Sequence, residues 1–354
     1  MNLNGIREQF AQTRQRGLRA IEGAQALGLS EGEAIAAHVG LHQQSMRAMP
    51  LRAQWLELLR SLEACGPLMA LTRNDSVVHE KTGVYQNISA KGLVGQALGE
   101  AIDLRLFFQQ WHAGFAVSET RADAATWPTS LQFFDRHGTV VHKVFVREQT
   151  DQLAWAQVIK RFVEPGQAVV FEPRKLAGAT AITLVNADDF ASAWGAMTDT
   201  HQFFELLRQF GLERQRAFQL VRGRYTHRVH TGALRETLME AAFERTPIMV
   251  FVASPGCIQI HTGPVRRVEP MEIHGKRWLN VLDPGFNLHL REDLVAEVWV
   301  VEKPTHDGVV TSLEAFDQTG MLMAMFFGAR KPGQPELAAW RHILQHLAPT
   351  PQTA

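Results

Sequence analysis

The sequence is poor in cysteine, with Cys65 and Cys257 alone among 354 residues. Two thiols cannot build a disulfide framework and neither sits in a CxxC pair, so a reducing compartment is expected. A surplus of either charge is also missing: Lys plus Arg number 36 and Asp plus Glu number 36. A balanced chain has no general electrostatic adhesion to nucleic acid or to anionic membranes. Long apolar runs are absent, which excludes the ordinary transmembrane helix. The polar start MNLNGIREQFAQTRQRG shows no apolar core of a secretory signal. A cytoplasmic protein is the expectation. No HExxH, Walker A, GxGxxG or GxSxG occurs. Zinc-peptidase, NTPase, dinucleotide and serine-hydrolase chemistry therefore lose their usual support.

What the chain does contain is itself, twice. TSLQFFDRHGTVVHKVFV (129–146) reads like TSLEAFDQTGMLMAMFFG (311–328), and RNDSVVHEKTG (73–83) like SPGCIQIHTG (254–263). AIDLRLFFQQWHAGFAV (101–117) parallels GFNLHLREDLVAEVWVV (285–301), and LGLSEGEAIAAHVG (27–40) parallels FGLERQRAFQLVRG (210–223). The offset holds between 180 and 184 throughout. So long a period means a duplicated domain rather than a solenoid. The halves are predicted at 1–175 and 185–354, around a Pro- and Gly-rich joint at 164–180.

In each copy helices come first, short alternating strands follow, and a helix closes. That order predicts an α+β fold, each half a large antiparallel sheet packed with helices. The alternation of polar and apolar residues predicts helices on one face of each sheet only. LGLSEGEAIAAHVG also looks like the opening helices of a helix-turn-helix DNA reader. The balanced charge and the recurrence of the corner in the second copy favour a core corner.

The stretch MTDTHQFFELLRQFGLERQ (197–215) carries the one histidine that asks for an explanation. Asp199 and Thr200 read as a helix cap with His201 just inside it, ahead of Phe203, Phe204, Leu207 and Phe210, and Gly211 stops the run. The counterpart of His201 in the first copy is Leu18. A lone histidine is usually structural, but an imidazole kept in one copy marks either functional asymmetry or drift, and neutral imidazole binds metals. In DLRLFF, Arg105 shares a strand face with Phe107, opposite Leu104 and Leu106. It reads either as a snorkelling surface side chain or as the lining of a flat aromatic ligand. Arg214, Lys303 and Arg330, taken singly, read as solvated charges.

Four stretches carry a family likeness: GPLMALTRNDSVVHEKTGVYQNI (66–88), DLRLFFQQWHAGFAV (103–117), TDTHQFFELLRQFGLERQRAF (198–218) and VEKPTHDGVVTSLEAFDQTG (301–320). With them the chain resembles the cytoplasmic haemin-degrading or haem-trafficking proteins of Gram-negative haem uptake, the HemS/ChuS/HmuS/PhuS type, over nearly its whole length. The resemblance implies one haem (iron protoporphyrin IX) in a cleft between the halves. It implies His201 as the iron ligand and Arg105 over the opposite face, the two residues of any catalytic centre. Phe107 and Phe251 match pocket aromatics, and Arg214, Lys303 and Arg330 match the residues that hold propionates. Phe327 stands where a tyrosine is expected and Met325 where a glutamine is expected, which removes a hydroxyl-based water network. The resemblance implies haem-oxygenase-like degradation with an external electron donor, releasing iron for acquisition. The alternative is a non-catalytic chaperone that passes haem to a separate oxygenase. Transient partners would be an inner-membrane haem importer and a haem oxygenase or reductase, with the chain a monomer or homodimer.

Overall fold

The computed structural model describes residues 2–40, 42–119, 127–174, 184–331, 333–348 and 350; the joint predicted at 164–180 lies outside them from residue 175 onward. The chain forms two compact units. Within the described residues the first comprises 2–73, 79–174 and 253–259, and the second 74–78, 184–252 and 260–350.

The first unit opens with helices α1 (Leu3–Gln15), α2 (Ala20–Ala26) and α3 (Glu31–Ala36), then strand β1 (Met46–Pro50) and helix α4 (Trp55–Ser61). Strands β2 (Leu68–Arg73), β3 (Val77–Gly83), β4 (Ser89–Lys91), β5 (Val94–Leu98) and β6 (Asp103–Phe107) follow. Then come β7 (Ala113–Glu119), β8 (Ser130–Phe134), β9 (Val140–Val146) and the closing helix α5 (Gln152–Phe162). The main ladder runs β1-β7-β8-β9-β2, antiparallel at each step, and β4-β5-β6 form an antiparallel meander.

The second unit repeats the plan. It begins with α6 (Ala187–Gly195), α7 (Gln202–Phe210), α8 (Arg214–Leu220), β10 (Thr226–Val229) and α9 (Ala233–Phe243). Strands β11 (Ile248–Ala253), β12 (Cys257–Gly263), β13 (Val268–Ile273), β14 (Lys276–Asp283) and β15 (Phe286–Arg291) come next. It ends with β16 (Val295–Thr305), β17 (Gly308–Asp317), β18 (Leu322–Gly328) and α10 (Ala338–Gln345). Its ladder is β10-β16-β17-β18-β11, its meander β13-β14-β15. The α+β class and the duplication are as expected from the sequence.

The one-sided sheet is not. Strands β7, β8 and β9 are buried on both faces. Leu131 and Phe133 join one apolar cluster with Leu58 of α4 and Trp155 of α5, while Phe134 and Phe115 join another with Phe10 of α1 and Ile35 of α3. The second unit does the same, with α9 and α10 on one face and α6, α7 and α8 on the other. Short β-branched and aromatic strands read as alternating even when both faces are covered, because Gln132, Lys143 and Glu314 supply polar residues that are themselves buried. The helix-turn-helix-like corner of α2 and α3 is packed, with Ala34 and Ile35 fully buried against the sheet.

The closing helices fix themselves alike. Trp155 donates its indole N–H to Pro128 O at 2.7 Å, and Trp340 to Thr311 O at 3.0 Å, both rings fully buried. Truncating such a side chain to alanine costs about 3–5 kcal/mol.

Each unit also holds a turn from the other half of the sequence. In the first unit Ser254 Oγ donates to Val141 O at 2.6 Å, Trp111 Nε1 to Gly256 O at 2.9 Å, and Gln259 Nε2 to Ala70 O at 3.0 Å. Cys257 ends a sealed chain in which Tyr85 Oη donates to His142 Nε2 at 2.8 Å, His142 Nδ1 donates to Thr72 Oγ1 at 2.9 Å, and Thr72 Oγ1 faces Cys257 Sγ at 3.5 Å. Burial takes His142 down to about 3 and Cys257 up to about 12, so the ring is neutral and the thiol unreactive. In the second unit Asn74 Nδ2 donates to Met323 O at 2.9 Å, and Arg291 N donates to Ser76 O at 2.8 Å.

Candidate functional site: an exposed imidazole beside a buried charge cluster

Helix α7 begins at Gln202, so His201 is its N-cap rather than a residue of its first turn. Asp199 does not cap the helix. Its Oδ1 accepts from the His201 backbone N–H at 2.8 Å and from the His201 Nδ1–H at 2.6 Å. These two bonds hold the Asp199 carboxyl below its usual range. In the neutral ring this arrangement places the hydrogen on Nδ1 and the lone pair on Nε2. The side chain of His201 is 93% exposed, and Phe204, three residues on and on the same helix face, is 75% exposed. Gly211 ends the helix at φ 63°, a left-handed position that suits glycine.

The turn is braced from below. His306 N, in the hairpin between β16 and β17, donates to Thr198 O at 2.9 Å. The adjacent Asp307 Oδ2 takes Arg330 Nη2 at 3.4 Å and Gly333 N at 3.0 Å. Arg330 lies two residues past β18 rather than in a last strand, and its charge adds to the lowering at Asp199.

Arg214, the first residue of α8, and Lys303 of β16 are not solvated charges. Both meet Glu314 of β17, which is fully buried. Arg214 Nε donates to Glu314 Oε2 at 2.6 Å and its Nη2 to Oε1 at 3.1 Å; Lys303 Nζ donates to Oε1 at 2.9 Å. Burial would raise this carboxyl, but the two cations outweigh it and bring it down to about 2. Burial pulls the Lys303 ammonium down, and Glu314 opposes that pull. The Phe203 ring of α7 lies 5.0 Å from the Arg214 guanidinium and 4.9 Å from Lys303 Nζ, so the helix bearing His201 rests on the cluster.

Beside the cluster the sheet face is apolar and partly open. Glu314, Met325 and Phe251 sit opposite one another across β17, β18 and β11, and Phe327 lies two residues beyond Met325 on the same face. The Phe251 and Phe327 rings meet edge to face at 5.1 Å. Met249, Phe251, Met325 and Phe327 are half-buried while their strand neighbours are buried. The second unit therefore brings His201, Arg214, Lys303, Phe251, Phe327 and Arg330 together through α7, α8 and one sheet face. Arg105 and Phe107 belong to the first unit. There, Arg105 Nη1 pairs with Asp103 and also donates to Leu104 O at 3.2 Å, and its side chain is 37% exposed.

Sequence reasoning missed Glu314 and the role of Asp199. The signal for Glu314 was a carboxylate in the midst of the apolar run SLEAF; the signal for Asp199 was its place two residues before the imidazole. Among the described residues no three His, Cys, Asp or Glu side chains gather to hold a bare metal ion. No helix among them is long and apolar enough to cross a membrane.

Comparison with known proteins agrees with this plan. The model of the haemin-degrading HemS.ChuX domain matches residues 28–162 and again 211–347. The hemin transport protein HmuS of Yersinia pestis is 40% identical over 328 residues, covering 92% of this chain and 91% of its own. Among solved structures, holo-PhuS, a heme-binding protein from Pseudomonas aeruginosa, is 40% identical with a TM-score of 0.91, covering 99% of this chain and all of its own. ChuS, described as an E. coli heme oxygenase, is 35% identical with a TM-score of 0.86, covering 97% and 99%. The chain belongs to the HemS.ChuX haemin-degrading family and carries its domain twice.

Proposed function

We propose that the chain binds haem through His201 Nε2 and, with molecular oxygen and an external reductant, opens the macrocycle to release iron. One observation carries the binding: a solvent-facing imidazole whose Nδ1–H is fixed by Asp199. A carboxylate behind an imidazole orients the ring and strengthens it as a ligand. The surrounding donor set fits the group. Phe204, Phe251 and Phe327 offer apolar wall, and Arg214 and Arg330 offer cations for carboxylates. Haem, when bound there, would supply iron for oxygen chemistry. Lys303 supports the site through Glu314 rather than by reaching a ligand, since it is 3% exposed. Arg105 and Phe107 enter the proposal from the family resemblance, Arg105 as a hydrogen-bond donor over the opposite face and Phe107 as a pocket aromatic.

Ferric haemin titrated into His201→Ala should lose the ligated Soret position and bind at least ~100-fold more weakly, while Asp199→Asn should cost about 10–100-fold. An unchanged spectrum in His201→Ala overturns the assignment and moves the ligand to His79, His261 or His289. Arg105→Ala should retain haem with an altered coordination spectrum.

A second reading, hand-over to a separate oxygenase, is favoured by the 93% exposure of His201, which suits exchange. Incubating the complex with ascorbate, with and without catalase, separates the two. A defined open-chain product that persists with catalase supports degradation; bleaching that catalase abolishes supports hand-over.

A further inference from the structure

The first unit contains a pocket of about 870 Å³ on the sheet face that corresponds to the proposed haem site of the second. Its walls include Phe10 of α1, Leu18, Met46 of β1 and Phe145 of β9. Leu18 is the repeat counterpart of His201, and Phe145 that of Phe327. The pocket lacks an exposed imidazole but carries a buried one. His38, 1% exposed, lines it from the segment after α3. Its Nδ1–H donates to Ala34 O at 2.8 Å, which leaves the Nε2 lone pair without a hydrogen-bond partner among the described residues. Burial pulls the pKa of this ring down, against a smaller opposing pull from the Ala34 bond.

The rim supplies cations. Arg14 is tied to Leu18 O at 2.6 Å and to Glu119 at 3.1 Å. Arg147 follows β9 directly, much as Arg330 follows β18. It is half-buried and donates to Val146 O at 3.3 Å and toward the Met69 sulfur. Among the described residues it has no carboxylate partner. A half-buried guanidinium without a counter-ion, on a pocket of mixed polar and apolar lining that also carries the His38 ring, asks for a specific ligand.

We infer that this pocket binds an apolar carboxylate that also carries an N–H or O–H donor: carboxylate on Arg147, apolar body against Phe10, Leu18 and Phe145, donor on His38 Nε2. An open-chain tetrapyrrole dicarboxylate has this chemistry, and that choice of ligand rests on the degradation reading; the pocket itself does not. The first unit then holds the product of chemistry done at the second unit's imidazole.

The test is a titration of the full chain, free of haem, with biliverdin, read by its visible difference spectrum and by tryptophan fluorescence. One saturable site is expected. Arg147→Gln should weaken it at least ~10-fold, and Leu18→Trp, which fills the pocket, should abolish it. His201→Ala should bind biliverdin as the wild type does. Retention of the wild-type haemin spectrum in Arg147→Gln and Leu18→Trp certifies that both fold. Equal biliverdin affinity in wild type, Arg147→Gln and Leu18→Trp, or no saturation in wild type, overturns the inference. An unchanged haemin spectrum in His201→Ala would instead sink the His201 assignment and leave this titration standing.

Discussion

The two units clasp a helix to a sheet with the same device, one carboxylate and two cations, but with the sign of the helix residue reversed. In the first, the clasp starts from Glu31, the first residue of α3, whose carboxylate meets Arg73 and Lys143. In the second, the repeat position is Arg214, the first residue of α8, and the carboxylate is Glu314 on the sheet with Lys303 beside it. Gln132 and Lys143 of the first unit stand where Glu314 and Met325 stand in the second, and each pair faces across its ladder. Both carboxylates are brought down to about 2 by their cations. The contact therefore tolerates inversion provided every buried charge is answered. The inversion changes what reaches the helix start: a sealed carboxylate, 2% exposed, in one unit and a guanidinium, 23% exposed, in the other. An acid is the favourable sign at a helix N-terminus and a base the unfavourable one, by a few tenths to about 1 kcal/mol. The second unit accepts that cost where an anionic ligand is proposed.

Substitutions break or sharpen this comparison. The largest effect is on ligand binding. Leu18→His gives the first unit an imidazole at the matching position, but the residue two places earlier is Arg16 where the second unit has Asp199. In a His201→Ala background, Leu18→His should leave haemin affinity low, and adding Arg16→Asp should raise it about 10-fold or more, as read by the Soret titration.

Next comes the clasp itself. Glu31→Gln and Glu314→Gln each strand a buried lysine and a partly buried arginine, which should cost about 3–5 kcal/mol in urea unfolding. Only Glu314→Gln should also weaken haemin binding, because only its cations border the proposed site.

A smaller effect separates the units by pH. His142, in the first unit, falls from 6.5 to about 3 on folding, so its contribution is present above pH 6.5 and is lost as pH falls toward 3. At pH 5 the loss should be about 2 kcal/mol. His142→Asn should flatten that part of the stability curve. Glu31 and Glu314 start to contribute their own loss only below pH 4.5, as the medium approaches about 2.

The smallest effect should be equal in both halves. Gly28 and Gly211 are repeat counterparts at φ 70° and 63°. Alanine at either should cost roughly 1 kcal/mol in thermal unfolding. Unequal losses would mean that the helix ends are not equivalent.

Much of this was legible in the sequence, for definite reasons. The duplication survives as repeated turns such as DRHG and DQTG, which local chemistry preserves. His201 stood out because Leu18 does not share its chemistry. The charge clasps were not legible. Glu31, Arg214 and Lys303 look like surface residues until tertiary packing seals them, and strand alternation gave no warning of helices on both faces. The exchanged turns were hidden for the same reason, since RNDS and SPGC read as ordinary hairpin loops.

Those exchanged turns have a consequence for synthesis. The first unit reaches the end of its continuous sequence near residue 174, yet its last piece, 253–259, follows only after about 80 further residues. At ribosomal rates of 5–20 residues per second that is a wait of roughly 4–16 s with Trp111 and Ala70 lacking their partners. The nascent chain is vulnerable during that interval, and a cut at the sequence midpoint would remove from each unit a turn that it holds.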